Sequence, residues 1–212
     1  MGKNFLNISV LTLFLFIVFT IFVSAGVYRE FDIVLTTNLQ NIIPRVFDTP
    51  FSVFSILGSA EVSLLILLLI IFLIPILRKI YVLVLFVLTG IIELALKSIV
   101  YQAPPPSELL RTNIHIGFPS GEVAGEYFAY PSGHSARVAF ISLVLLFAIW
   151  KSSLRKELKI IFAILVLSFD ILMFVSRVYL GEHWTTDVLG GALLGLSLAF
   201  LGIYIRKSKF RS

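Results

Sequence analysis

The chain has 212 residues, 58% of them hydrophobic and only 14% charged, with a mean hydropathy of +1.02, which excludes an ordinary soluble domain. It has no cysteine, so disulfides, thiolate metal sites and a cysteine nucleophile are excluded as well. The formal net charge of +5 calls for an anionic partner, and because the basic residues fall at the ends of apolar runs, that partner is a lipid surface and not nucleic acid.

Six apolar stretches, at roughly 5–27, 58–77, 80–100, 134–150, 160–176 and 187–205, are each long enough to cross a ~30 Å hydrocarbon layer as a helix. The reading is an all-α integral membrane protein, one transmembrane domain over 1–212, with no second folded core. The first stretch, with its basic start and "VSA" before Gly26, also has the outline of a signal peptide. Its apolar run is longer than such a segment needs, which favours a retained span. In the connection that follows, Phe31, Leu35, Leu39, Ile42 and Val46 recur at helical spacing. That predicts either a helix lying along the membrane interface or a packed loop, and amphipathic spacing alone does not separate them.

The connections alternate in charge. Lys3, then Arg78 and Lys79, then Lys151, Arg155, Lys156 and Lys159, then Arg206, Lys207, Lys209 and Arg211 all fall on one side. By the positive-inside rule both termini are cytoplasmic and the connections at roughly 28–57, 101–133 and 177–186 face outward. The run Pro104, Pro105, Pro106 ends the third helix, because proline lacks an N–H and restricts the residue before it. Glu93 and Asp170 lie inside spans, where an unpaired charge costs about 2.5–3.5 kcal/mol. Glu93, one turn before Lys97, is expected to pair with it; Asp170 has no partner legible in the sequence. Gly191 and Gly195 form a G-x3-G pattern, expected to be a close helix contact.

Polar residues crowd three outward helix ends, in segments 97–111, 131–137 and 176–187. Ser132 is placed to cap the fourth helix and Gly133 to let backbone approach a ligand, so the first turn there is an anion site. Lys97 and Arg177 add two full positive charges, which suits a phosphoryl group. His183 and Asp187, four apart, share a helix face, so the carboxylate can hold one ring nitrogen and leave the other free to attack. His134, with no acidic neighbour in sequence, suits protonation of a leaving oxygen. Taken singly, each feature has a structural alternative: a turn and cap for "PSG", a hydrogen-bonded pair for His183 and Asp187, and a snorkelling anchor for Lys97.

Together they resemble the type 2 phosphatidic acid phosphatase superfamily of lipid phosphatases, whose motifs are K-x6-R-P, P-S-G-H and S-R-x5-H-x3-D. Pro131, Ser132, Gly133 and His134 match the second motif in full; Ser176, Arg177, His183 and Asp187 match the third in full. Either pattern would arise by chance in roughly one chain of this length per thousand or fewer. The first motif departs from the pattern, because counting from Lys97 its arginine position holds Pro104 and its proline position Pro105. Losing a charge-assisted contact to phosphate costs about 1.5–3 kcal/mol, so a replacement is expected, with Arg137, three residues after His134, and Arg111, in the loop after the prolines, as the candidates. His115 in that loop is expected to be exposed.

The resemblance implies a metal-independent, cofactor-free lipid phosphatase acting through a phosphohistidine. In it His183 attacks, Asp187 orients the ring and His134 protonates the leaving group, while Lys97, Ser132, Gly133 and Arg177 hold the phosphate. Implied substrates are a polyprenyl diphosphate, phosphatidylglycerol phosphate or phosphatidic acid, met at the outer face of the plasma membrane. The same site also allows a lipid phosphotransferase, a non-catalytic lipid-phosphate binder for which Pro104 speaks, or a small transporter using Glu93 and Asp170.

Overall fold

The computed structural model describes residues 2–112, 114, 117–119 and 128–208. Helix α1 (Gly2–Ser24) leads through a turn at the positive-φ Gly26 into α2 (Arg29–Ile42). A short α3 (Asp48–Ser55) and α4 (Ala60–Leu73) follow, then α5 (Ile80–Ile99), α6 (Gly133–Lys151), α7 (Lys156–Tyr179) and α8 (Thr185–Ser208).

Five of these, α1, α5, α6, α7 and α8, are long and apolar enough to span a membrane singly. Their bounds lie close to the predicted ones, and α5 ends at Ile99, before the proline run. The second predicted span needs correction. It is not one straight helix over 58–77: the segments Arg45–Gly58 and Ala60–Leu73 meet at a 59° bend and together form a broken span or a re-entrant loop. Ser59, in extended conformation, starts α4 afresh by accepting a bond from the Val62 amide at 3.4 Å.

Helices α6 and α8 form the centre, with α1, α5 and α7 packed around them. The core joins Leu67, Phe86, Tyr130, Phe140, Leu194 and Ala199, while Phe14, Val84 and Leu165 of the peripheral helices stay exposed, as lipid-facing residues do. The G-x3-G pair makes the central contact. A side chain at Gly191 would come within 2.2 Å of the Ser132 carbonyl, and one at Gly195 within 2.1 Å of the Ala136 carbonyl. Small residues there let two backbones touch.

Helix α2 settles the question its spacing left open. Phe31, Val34, Leu35 and Ile42 are exposed, whereas Asp32, Thr36 and Gln40, one turn apart, are buried. Its apolar stripe therefore faces away from the protein, the arrangement of a helix lying on lipid.

Gly195→Val places a branched side chain against the α6 backbone. It should lower stability by roughly 2 kcal/mol or more, a fall of roughly 4–8 °C in the thermal midpoint measured in detergent. An unchanged midpoint would show that the helices separate without cost.

Candidate active site

Main-chain bonds hold three segments, far apart in sequence, at one end of the bundle. The Phe128 amide donates to the Lys97 carbonyl at 3.1 Å and the Ala129 amide to the Gln102 carbonyl at 2.9 Å, so the strand of chain entering α6 runs beside the end of α5. The Ser132 amide donates to the Asp187 carbonyl at 2.9 Å, tying that entry to the first turn of α8. Side chains complete the joint: Trp184 Nε1 donates to the Ala103 carbonyl at 2.8 Å and Gln102 Nε2 to Thr186 Oγ1 at 3.0 Å.

On this frame His183 stands in the link before α8 with its Nδ1 3.4 Å from Asp187 Oδ2, and that same oxygen accepts the Trp184 amide at 2.8 Å. Asp187 is fully buried and its Oδ1 has no partner among the described residues. The ring of His183 is held well below the ordinary imidazole range, first by burial and then by the positive charges of Lys97, Arg177 and Arg137, with the Ala129 carbonyl only partly opposing them. At neutral pH the ring is therefore neutral and carries a lone pair. His134, in the first turn of α6, keeps part of its ring accessible, and the same three cations and His183 act on it. One cluster thus holds both imidazoles, Lys97, Arg137, Arg177 and Asp187.

The cations are placed by different means. Lys97 Nζ reaches the carbonyls of Phe128 and Ala129 at 3.5 and 3.4 Å. Arg177 pairs through Nη2 with Glu182, which also accepts from Thr112, and its Nε is buried with no partner among the described residues. Arg137 Nη1 bonds Glu93 Oε2 at 2.8 Å, and its Nε donates to the Gly58 carbonyl at 3.1 Å. The expected pairing of Glu93 with Lys97 is not a direct bond: Glu93 bonds Arg137 on α6, while its charge still acts on Lys97. The carboxylate of Glu93 also fills the space where a side chain at Gly133 would stand, about 2.0 Å from that position.

Other expectations are corrected or displaced. Ser132 holds the N-cap position of α6 but makes no capping bond; its hydroxyl accepts instead from Ser135 Oγ at 3.2 Å. Arg111 is engaged elsewhere, with Nη2 donating to the Gln40 carbonyl at 2.9 Å, Nη1 to the Ile43 carbonyl at 3.3 Å, and its plane 4.9 Å over the Tyr179 ring. Asp170 has a partner after all, the hydroxyl of Ser142. His115 lies outside the described residues.

One contributor carried no signal in the sequence. Asp32, on α2 and 3% exposed, accepts from the Thr186 amide at 3.0 Å and from Thr186 Oγ1 at 2.6 Å. It caps α8 from another helix, satisfying first-turn donors and placing negative charge at the positive end of the helix dipole. Beside it a cavity of about 580 Å3 opens between the end of α1, α2 and the segment after α5, walled by Tyr28, Arg29, Gln102, Pro104 and Trp184 among others. Pro104, standing where the first motif calls for arginine, faces that cavity.

The PAP2 superfamily model matches residues 78–211. Phosphatidylglycerophosphatase B of Bacillus subtilis (strain 168) is 43% identical over 76 residues, 35% of this chain and 37% of that protein. An undecaprenyl-diphosphatase of Sulfolobus acidocaldarius is 37% identical over 81 residues, 38% of this chain and 35% of that protein. The matched stretch thus spans little more than a third of each relative. The crystal structure of a transmembrane PAP2-type phosphatidylglycerolphosphate phosphatase from Bacillus subtilis superposes with a TM-score of 0.76 at 22% identity, covering 96% of this chain and 97% of that one. Aquifex aeolicus LpxE gives a TM-score of 0.60 at 22% identity, over 81% and 93%. Both are likenesses of fold.

Two outcomes follow from the site. In protein carrying 13C-labelled histidine, the His183 resonance should titrate below pH 6.5, because the proton must enter a buried ring among cations, and Lys97→Met should move that titration upward; titration at or above 6.5 would contradict the electrostatic account. Asp32→Ala leaves first-turn donors of α8 unmatched and should cost about 1–3 kcal/mol, read as a lowered thermal midpoint.

Proposed function

We infer the reaction from two premises: the chain belongs to the PAP2 superfamily, and its two motif histidines share one cluster with three cations. The reading is a membrane lipid phosphatase. His183, neutral and backed by Asp187, attacks phosphorus through its free ring nitrogen while the bond from phosphorus to the lipid oxygen breaks. His134 passes its proton to that departing oxygen. Water then attacks the phosphohistidine, gives its proton to His134, and the N–P bond breaks to release inorganic phosphate. Lys97, Arg177, Ser132 and the first-turn amides of α6 at Gly133 hold the phosphate oxygens as charge redistributes, which is where fixed cations lower the barrier to phosphoryl transfer.

Arg137 fills the role of the arginine missing at Pro104. What supports this is its shared reach with Lys97 and Arg177 over both imidazoles; Arg111, held by α2 carbonyls and Tyr179, is left as a structural clamp. The substrate is a phosphate or diphosphate monoester of a membrane lipid. The two relatives, a phosphatidylglycerophosphatase and an undecaprenyl-diphosphatase, favour phosphatidylglycerol phosphate or undecaprenyl diphosphate over phosphatidic acid. The alternating basic connections support a site on the extracytoplasmic face, with both termini inside, and a plasma-membrane location is part of the same reading.

The convergence of cations on a His183 that Asp187 backs carries the reading. Phosphate release from phosphatidylglycerol phosphate and undecaprenyl diphosphate, measured with purified protein in chelator, tests it. His183→Ala should abolish turnover and the trapped phosphoenzyme. Arg137→Ala should lower kcat/KM by roughly 10- to 150-fold, the loss of one charge-assisted contact of about 1.5–3 kcal/mol, whereas Arg111→Ala should stay within about threefold of wild type. Turnover that survives His183→Ala, or that chelator abolishes, would sink the mechanism.

A further inference from the structure

The bend in the second span lies against the active site. Gly58 is the last residue before that bend, and it is buried. A side chain built there would put its Cβ 2.7 Å from His134 Cδ2 and 3.2 Å from His134 Cβ and Cγ. The Gly58 carbonyl meanwhile accepts the Nε of Arg137, one turn after His134 on the same helix, at 3.1 Å. One residue at the bend therefore touches both groups that α6 sends into the cluster.

Nothing in the backbone itself demands glycine at this place. The positive-φ glycines are Gly26 and Gly181, so Gly58 has a conformation any residue adopts, and alanine would fit the chain. What excludes a methyl group is the imidazole ring. A helical His has few side-chain rotamers open to it, and α6 is locked against α8 by the Ser132 to Asp187 bond and by Gly195. The ring has little freedom to retreat without leaving its place.

We propose that Gly58 is a positioning residue for His134: the side chain it lacks is the seat of the imidazole, and the break in the second span exists to bring that seat and its carbonyl to α6. This rests on the reading of His134 as the proton donor to the leaving oxygen. Carbon contacts settle at about 3.5–4.0 Å, so a methyl at position 58 pushes the ring edge back by about 1 Å, and a displacement of that size costs up to about 10²-fold when the displaced group acts in the reaction.

Leaving groups of different basicity provide the test. A lipid alkoxide needs a proton as it departs; para-nitrophenolate does not. Wild type, Gly58→Ala, His134→Ala and the double variant are assayed in detergent on phosphatidylglycerol phosphate and on para-nitrophenyl phosphate. Gly58→Ala should lower kcat/KM on the lipid, which reports phosphoryl transfer to His183 and not the later water step that both substrates share, by roughly 10- to 100-fold and kcat/KM on the aryl phosphate by less than about threefold, with His134→Ala showing the same split more deeply. In the His134→Ala background the 2.7 Å contact with the ring is gone and only the 3.2 Å contact with Cβ remains, so adding Gly58→Ala should cost far less than it does in wild type. Should Gly58→Ala fail to fold while the double variant folds, the clash is with the ring, as proposed. A fall on both substrates alike, no fall at all, or an equal further loss or misfolding in the double variant overturns the proposal. If His134→Ala itself shows no split between the substrates, it is the proton-donor reading that fails, and the outcome for Gly58 is separate from it.

Discussion

The two central helices are joined backbone to backbone, and the rest of the site depends on that joint. The Ser132 amide bonds the Asp187 carbonyl, and Gly191 and Gly195 let α8 lie against the Ser132 and Ala136 carbonyls. His134 leaves α6 one turn from this contact, and His183 precedes α8 by less than a turn. The separation of the two rings is therefore set by main chain, which has far less freedom than side chains held by their own contacts. It also explains why an apolar bundle tolerates a polar sequence such as "YPSGHSAR" at a helix mouth: the backbone donors of that mouth are met by another helix end and by the groups gathered there.

The second constraint is charge. Three cations held together away from bulk water repel one another and lose hydration, at a cost of several kcal/mol per ion unless they are partnered. Each has a partner suited to its place. Arg137 takes Glu93 and the Gly58 carbonyl, Arg177 takes Glu182, and Lys97 takes two main-chain carbonyls on the chain entering α6. Partners outside each cation's own helix also fix where it stands, so the field around the imidazoles is set before any phosphate arrives, the condition under which electrostatic stabilisation is strongest. The low proton affinity of His183 follows from the same crowding.

The five single spans were legible because length and apolarity suffice to call a membrane helix, and the cluster was legible because two motifs carry their spacing in the chain. The break at Gly58 was not. No proline stands between residues 51 and 74 to mark it, and the first half of the bent pair, Arg45–Gly58, has too mixed a composition to read as membrane-spanning. Glu93 was assigned to Lys97 by the one-turn rule, yet it bonds a residue 44 away on another helix. Asp170 with Ser142, Arg111 with Gln40 and Asp32 with Thr186 are likewise tertiary pairs, and no periodicity announces a bond between residues 154 apart. Local rules recover local partners, and the second tier of this site is almost wholly non-local.

Helix α2 shows what that tier does. Its exposed face is apolar and its buried face polar, the reverse of a helix on a soluble domain. From the buried face Gln40 donates to the Leu109 and Tyr179 carbonyls while Asp32 caps α8. The helix is thus tied at one end to the residue next to Asp187 and two turns later to the end of α7, where Arg177 stands. A helix whose outer stripe rests in the interfacial layer fixes its own depth, and these ties pass that depth to the pair of His183 and Asp187 and to Arg177. The height of the chemistry relative to lipid headgroups is then a property of α2, which contributes no reacting group of its own.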